Sequence, residues 1–403
     1  MSLPHEVPYR PEHVAMAREL LEETRRAGGL APVALERFWA EETLGHRDPF
    51  SPANPRVPSW LSLNDLCVFD ELGVPEDMWR WGHDEPWHLE LARAYNDRAE
   101  KIVGRRIIPE APAPDPATVY PEPRGLHDVF EARNEWHGQS WWLRQSAHTP
   151  AELRALLDRV DGRDLRKVIL PEGWEAAKQR LMPKGVRPPL YRWQRGPVTF
   201  AMSVYGVENL IELILEDEPL AIRFRDTIRR VMLGIVDLLD AEAGYGKGGA
   251  PGGFQFNDDQ CAMLNPAMYE LFGWPILKAL FDRLSPNPKD HRGQHSDSAM
   301  GHLLPLLGKL DLTYANFGPT LTVTRIRDHL PHAVIHGQLA PYTYSRNDAE
   351  GIVLECLRDV TMAREKRGLV FETAGSINEG TSLASMRLAM AALDRFGRFG
   401  RQL

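Results

Sequence analysis

GGFQFNDDQCAMLNPAMYELFGWPILKAL, residues 252–280, is the stretch whose reading decides the fold. GGFQFND reads as a strand, and a helical pattern starts from Asn265. Between them stand two carboxylates, Asp258 and Asp259. Were this segment extended, the two would point to opposite faces, and at most one could face a central pocket. Short apolar runs entering polar turns occur in five places: QFNDDQ (255–260), RGQHSDS (292–298), YANFGPT (314–320), AVIHGQLAP (333–341) and LVFETAGSIN (369–378). Helical patterns separate them, so the chain from about 126 to 398 reads as alternating α/β. In α/β barrels the working groups sit at the C-terminal ends of strands, and these turns are where chemistry is expected.

Upstream of that stretch, VENLIELILEDEPLAIRFRDTIRRVMLGIVDLLDAEAG (207–244) reads as two helices broken around Asp217–Pro219. Thr149, three residues before Glu152, has the capping-box pattern. EHVAMARELLEETRRAGG (12–29) reads as an amphipathic helix stopped by Gly28–Gly29. From 46 to about 125 periodicity is poor, and EAPAPDPATVYPEPRG (110–125) is an extended, proline-punctuated stretch. Residues 1–125 are therefore expected to be a helical and irregular extension, and 126–403 the main domain.

The chain has 403 residues, 43% of them hydrophobic and 26% charged, enough for one large barrel with an extension. A formal charge of −8 gives no broad basic face, so nucleic acid is not an expected partner. MSLPHEVPYRPEH lacks a basic segment leading into an apolar run, and no stretch approaches the ~18 apolar residues of a membrane span. Cys67, Cys261 and Cys356 fit neither a disulfide framework nor a CxxC knuckle. A cytoplasmic protein with no membrane partner is the expectation.

The order of the motifs resembles the uroporphyrinogen decarboxylase superfamily of (β/α)₈ TIM barrels over about residues 165–398. NDDQCAMLNPAMYELFGWPILKAL is similar to that family's fourth-strand segment, and RGPVTFAMSVYGVENLIELILEDEP (195–219) to its third. VIHGQLAP resembles the seventh-strand Gly-Asn-x-x-Pro turn with Gln338 in the Asn place, and Gly375-Ser376 falls where the eighth strand ends. LPEGWEAAKQRLMP (170–183) looks like a stretch common among the methyltransferase-like members. No Arg-rich RQAGRY-type segment stands in residues 1–125, so the resemblance is not to the true porphyrinogen decarboxylases. Where the corrinoid methyltransferases carry His-x-Cys and a further Cys as zinc ligands, this chain reads His295-Ser296-Asp297 and Ser376. The resemblance thus implies a zinc or other divalent ion held without thiolates, methyl transfer on a small molecule, and a corrinoid protein as partner. A homodimer is compatible with it.

Asp258 matches the family's acidic position, and Asp259 and Glu270 are further carboxylates upstream of His291 and His295. His295 and Asp297 fall on the same face of a strand, and they are taken with Glu372 as metal ligands. Asp258, His336 and Asn316 are the catalytic candidates. Against these stand plainer readings: a His–Asp hydrogen bond in a surface loop, a structural His336, and Glu372 as an outward salt-bridge partner. Trp136, Trp141 and Trp142 either stack on a flat or sugar-like substrate or pack as core, with core the expectation; Arg325 and Arg327 either clamp an anion or form surface ion pairs. GYGKGGAPGG (244–253) lacks GK[ST] and reads as a loop. Two other functions remain open: a metal-independent decarboxylase, which is a carbon–carbon lyase, and a barrel that binds a ligand without turnover.

Overall fold

A computed structural model describes residues 9–61, 63, 65–246 and 248–400. Its strands are β1 Arg133–His137, β2 Ser140–Arg144, β3 Trp193–Arg195, β4 Phe254–Asn257, β5 Arg292–Ser296, β6 Tyr314–Phe317, β7 Val334–Leu339 and β8 Leu369–Thr373. β1 and β2 form an antiparallel hairpin, and β3 to β8 form one sheet in sequence order. The registers at β3–β4, β4–β5, β6–β7 and β7–β8 are parallel. Helices intervene between successive strands, the α/β alternation that the sequence implied. Hydrogen bonds draw six strands, not the closed eight-stranded ring of the barrel expectation.

The chain divides into two compact units. One holds Ala113–His295 and Pro305–Thr313; the other holds the residues up to Pro112, Ser296–Leu304 and those from Tyr314 onward. In the first, alternation along β4 sorts the faces. Phe254 and Phe256 are fully buried, and the Phe256 ring meets Phe281 of helix Trp274–Leu284 at 5.6 Å. Gln255 and Asn257 lie half-buried on the opposite face. The long helical run is indeed two helices, Val207–Glu216 and Glu218–Glu242, and the Asp217 carboxylate caps the second at Leu220 N. Thr149 caps its helix at Glu152 N as the capping pattern requires.

The tryptophan expectation is corrected here. Trp141 and Trp142 are 51% and 59% exposed, because β1 and β2 turn tightly at Gly138–Gln139 into a ribbon that carries them outward. Trp136 and Trp141 meet edge to face at 5.3 Å.

In the other unit the helix Pro11–Arg26 forms as expected and packs on helix Ala349–Ala363. Residues 46–125 hold more structure than their sequence announced. Helix Glu85–Val103 starts at an Asp84 cap and ends at Gly104, whose φ of +77° suits a residue without Cβ. It packs against helix Leu383–Phe396. The segment about Ser59 runs beside β8: Ser59 bridges Phe371 in parallel, Phe371 N donates to Pro58 O and Trp60 N to Phe371 O. It is pinned by Arg56, only 2% exposed, whose guanidinium pairs with Glu42 at 2.7 Å and donates to Phe38 O. Among the described residues no single helix is long and apolar enough to cross a membrane.

Candidate metal centre and active site

β4 stops at Asn257, and the backbone of Asp258 leaves the pleat at φ −130°, ψ 71°. Its N–H still bonds His295 O at 2.9 Å, but its carboxylate turns away into the core and accepts from Thr199 N at 2.8 Å. Burial pushes the Asp258 carboxyl up to about 6, against the lowering effect of the Thr199 hydrogen bonds. Space for this packing exists because residue 196 is glycine: a Cβ there would lie 2.1 Å from Asp258 Cβ.

The break in the pleat brings the next carboxylate to the site. Asp259 opens the 3₁₀ turn Asp259–Met263, and one donor atom each from Asp259 and His295 lie within 4.8 Å of each other, with Asp297 following two residues after His295. All three residues are half-buried. One imidazole and two carboxylates suit Zn²⁺ as well as harder divalent ions.

Asp297 is held from β8's end. Its Oδ2 accepts from Ser376 Oγ at 2.8 Å. Ser376 occupies the place where the resemblance called for a cysteine, and it orients a carboxylate there. Gly375, at φ +100°, makes the close approach possible, for a Cβ on it would lie 2.5 Å from Asp297 Oδ1.

His336 on β7 and Glu372 on β8 form a pair, Nδ1 to Oε2 at 2.8 Å, with both side chains under 20% exposed. Asn316, 1% exposed on β6, donates to Glu372 Oε1 at 3.1 Å and to the carbonyls of His336 and Thr373 at 2.8 and 3.0 Å. The Tyr314 ring packs 4.6 Å from the imidazole. A cavity of about 440 Å³ is lined by Trp60, Glu372, Gly375 and Ser376, so Glu372 and the serine that holds Asp297 share one wall.

The structure therefore brings Asp259 beside His295, Ser376 onto Asp297, and His336 together with Glu372 and Asn316. Glu372 stands with the imidazole of His336, and Asp259 is the carboxylate beside His295. Asp259 was visible as a carboxylate; only the break in the pleat, which alternation does not register, gives it this position. Glu270 is exposed beside Lys309 at 3.7 Å, and His291 Nε2 meets Gln255 Oε1 at 2.8 Å. Arg325 donates to Gly301 O, and Arg327 is spent on main-chain carbonyls.

Fold and site together define a class: an α/β protein whose parallel strands end in carboxylate, imidazole and hydroxyl groups. No protein-family model matches the chain, and no curated protein does. Among solved structures, a methyltransferase from Methanosarcina mazei matches with a TM-score of 0.50 at 13% identity, covering 91% of this chain and 99% of that one. At that identity the likeness is one of fold.

Proposed function

We propose that the chain is a metal-assisted group-transfer enzyme of the methyltransferase kind, acting on a small molecule. The observation that carries this reading is that donor atoms of Asp259 and His295 lie within 4.8 Å of each other where β4 and β5 end, with Asp297 two residues further along the chain. His295 and Asp297 hold the ion, with Asp259 as the third ligand; Zn²⁺ is the first choice. When bound, the ion supplies Lewis acidity to a substrate oxygen. Ser376 fixes the Asp297 carboxylate, and Glu372 and Asn316 fix His336, which leaves its Nε2 to hold or accept a proton. Buried Asp258 positions the turn that delivers Asp259.

The sheet is read as part of a (β/α)₈ barrel of residues 126–403 within the uroporphyrinogen decarboxylase superfamily, with 1–125 packed on it as an extension. Support comes from the order β3 to β8, from the further parallel bridge at Ser59, and from the fold of the Methanosarcina methyltransferase. A corrinoid protein as methyl carrier belongs to the same reading. Three buried cysteines in no disulfide suit the cytoplasm.

Protein purified without chelator is the test. About one divalent ion per chain is expected by elemental analysis, falling sharply in His295→Ala, Asp297→Asn and Asp259→Asn. Protein that stays metal-free after incubation with Zn²⁺, Mn²⁺ and Fe²⁺ would sink the reading.

A further inference from the structure

Strand register places a third functional side chain in line with the metal centre. Arg195 pairs with Asn257 across β3–β4, and Asn257 pairs with His295 across β4–β5. Residues in register on parallel neighbours project to the same face. Arg195 therefore shares a face with His295, about 10 Å away at two strand spacings. It is also the last residue of β3, at the strand end where His295 and Asp259 lie.

The guanidinium is half-buried, and its hydrogen bond goes to the Ser203 hydroxyl at 3.1 Å; among the described residues it has no carboxylate within ion-pair distance. A partly desolvated cation without a counter-charge is costly unless an anion completes it. Arg195 opens on a cavity of about 780 Å³, within the range of small-molecule sites. Apolar walls come from Leu143, Phe200 and Leu239, and flat ones from Tyr191 and Trp193. Arg124 also lines it, and the acids there are Glu122 and Asp128. Asp128 is engaged by Gly125 N at 2.8 Å and faces His127, so it does not neutralise Arg195.

We infer that this cavity is an anion subsite of the active centre: Arg195 takes the carboxylate of a small aromatic acid whose ring packs between the aromatic walls. A planar guanidinium fork matches a carboxylate in two parallel hydrogen bonds. The inference rests on the proposed metal reading only for what it says of the substrate; the binding of the acid does not require the ion.

Benzoate and its uncharged isostere benzamide are the probes, titrated by calorimetry into the full chain with and without added Zn²⁺. Benzoate is expected to bind at least about tenfold more tightly than benzamide, and Arg195→Gln to remove that preference while leaving metal content unchanged. Arg195→Lys, which keeps the charge without the fork, should retain part of it. Equal binding of the two probes, no binding of benzoate, or a preference that survives in Arg195→Gln overturns the subsite. Loss of metal binding with benzoate selectivity intact counts against the proposed function alone.

Discussion

His336 Nδ1 lies 2.8 Å from Glu372 Oε2, and the same carboxylate receives the Asn316 amide through its other oxygen. A carboxylate is acceptor-only, so it draws the imidazole proton to Nδ1 and leaves Nε2 with its lone pair. Nitrogen NMR of the histidine rings is expected to show His336 in that tautomer. Glu372→Gln should mix the tautomers, since an amide can donate or accept, and turnover should fall by about tenfold to a hundredfold. Unchanged tautomer and rate in that variant would show that Glu372 does not set the state of the imidazole.

Much of this centre was legible because strand side chains repeat every second residue. That rule sets His295 and Asp297 on one face of the sequence pattern, although β5 itself ends at Ser296, between them. The same rule could not choose between Asp258 and Asp259, because β4 ends one residue earlier and the pleat is gone. Ser376 was marked in sequence only by its place after β8; its hydrogen bond to Asp297, 79 positions away, is a tertiary contact. Helix Glu85–Val103 was hidden among prolines and tryptophans, although an Asp at its start and a Gly after its end marked it. Trp141 and Trp142 show the opposite failure, since hydrophobicity predicts burial and a two-stranded ribbon leaves its outer face without a core.

Arg327 had been weighed as an anion clamp. It is 4% exposed and donates to the carbonyls of Leu330, Pro331, Ala333, Arg367 and Gly368. Burial brings its pKa down to about 10, so it stays charged at neutral pH. Arg327→Met is expected to cost about 3 kcal/mol or more, because several buried carbonyls lose their donor at once. Urea unfolding measures that, and metal content of the folded fraction should not change.

Glu242, 4% exposed, gives the fold an acid limit. Burial disfavours its charge, but hydrogen bonds from Lys178 at 2.8 Å, from Arg166 and from Trp174 Nε1 at 2.9 Å outweigh this and bring its pKa to about 2. A carboxyl with a lowered folded pKa favours the folded state above its unfolded value and loses that contribution as pH falls through the folded one. The contribution, about 3 kcal/mol, is thus complete at neutral pH and declines from about pH 4.5 to about pH 2. Glu242→Gln should lower the urea midpoint at pH 7 and flatten its fall across that window. A variant as acid-sensitive as the parent would place the titrating group elsewhere.

Gly375 tests whether the strand-end geometry serves the ion or only the fold. Its φ of +100° disfavours any L side chain, and a Cβ there would stand 2.5 Å from Asp297 Oδ1. Gly375→Ala therefore carries two effects, backbone strain and displacement of a ligand. Gly185 separates them: its φ is +80°, and a Cβ on it meets nothing within 4 Å. Both alanine variants should lose about 1 kcal/mol of stability or more from the backbone alone. In Gly375→Ala the Asp297 carboxylate must also turn away from Ser376 Oγ, and metal affinity should fall by about tenfold to a hundredfold. Gly185→Ala should bind metal as the parent does. Equal metal binding in the two variants at equal stability loss would mean that Asp297 is not a ligand.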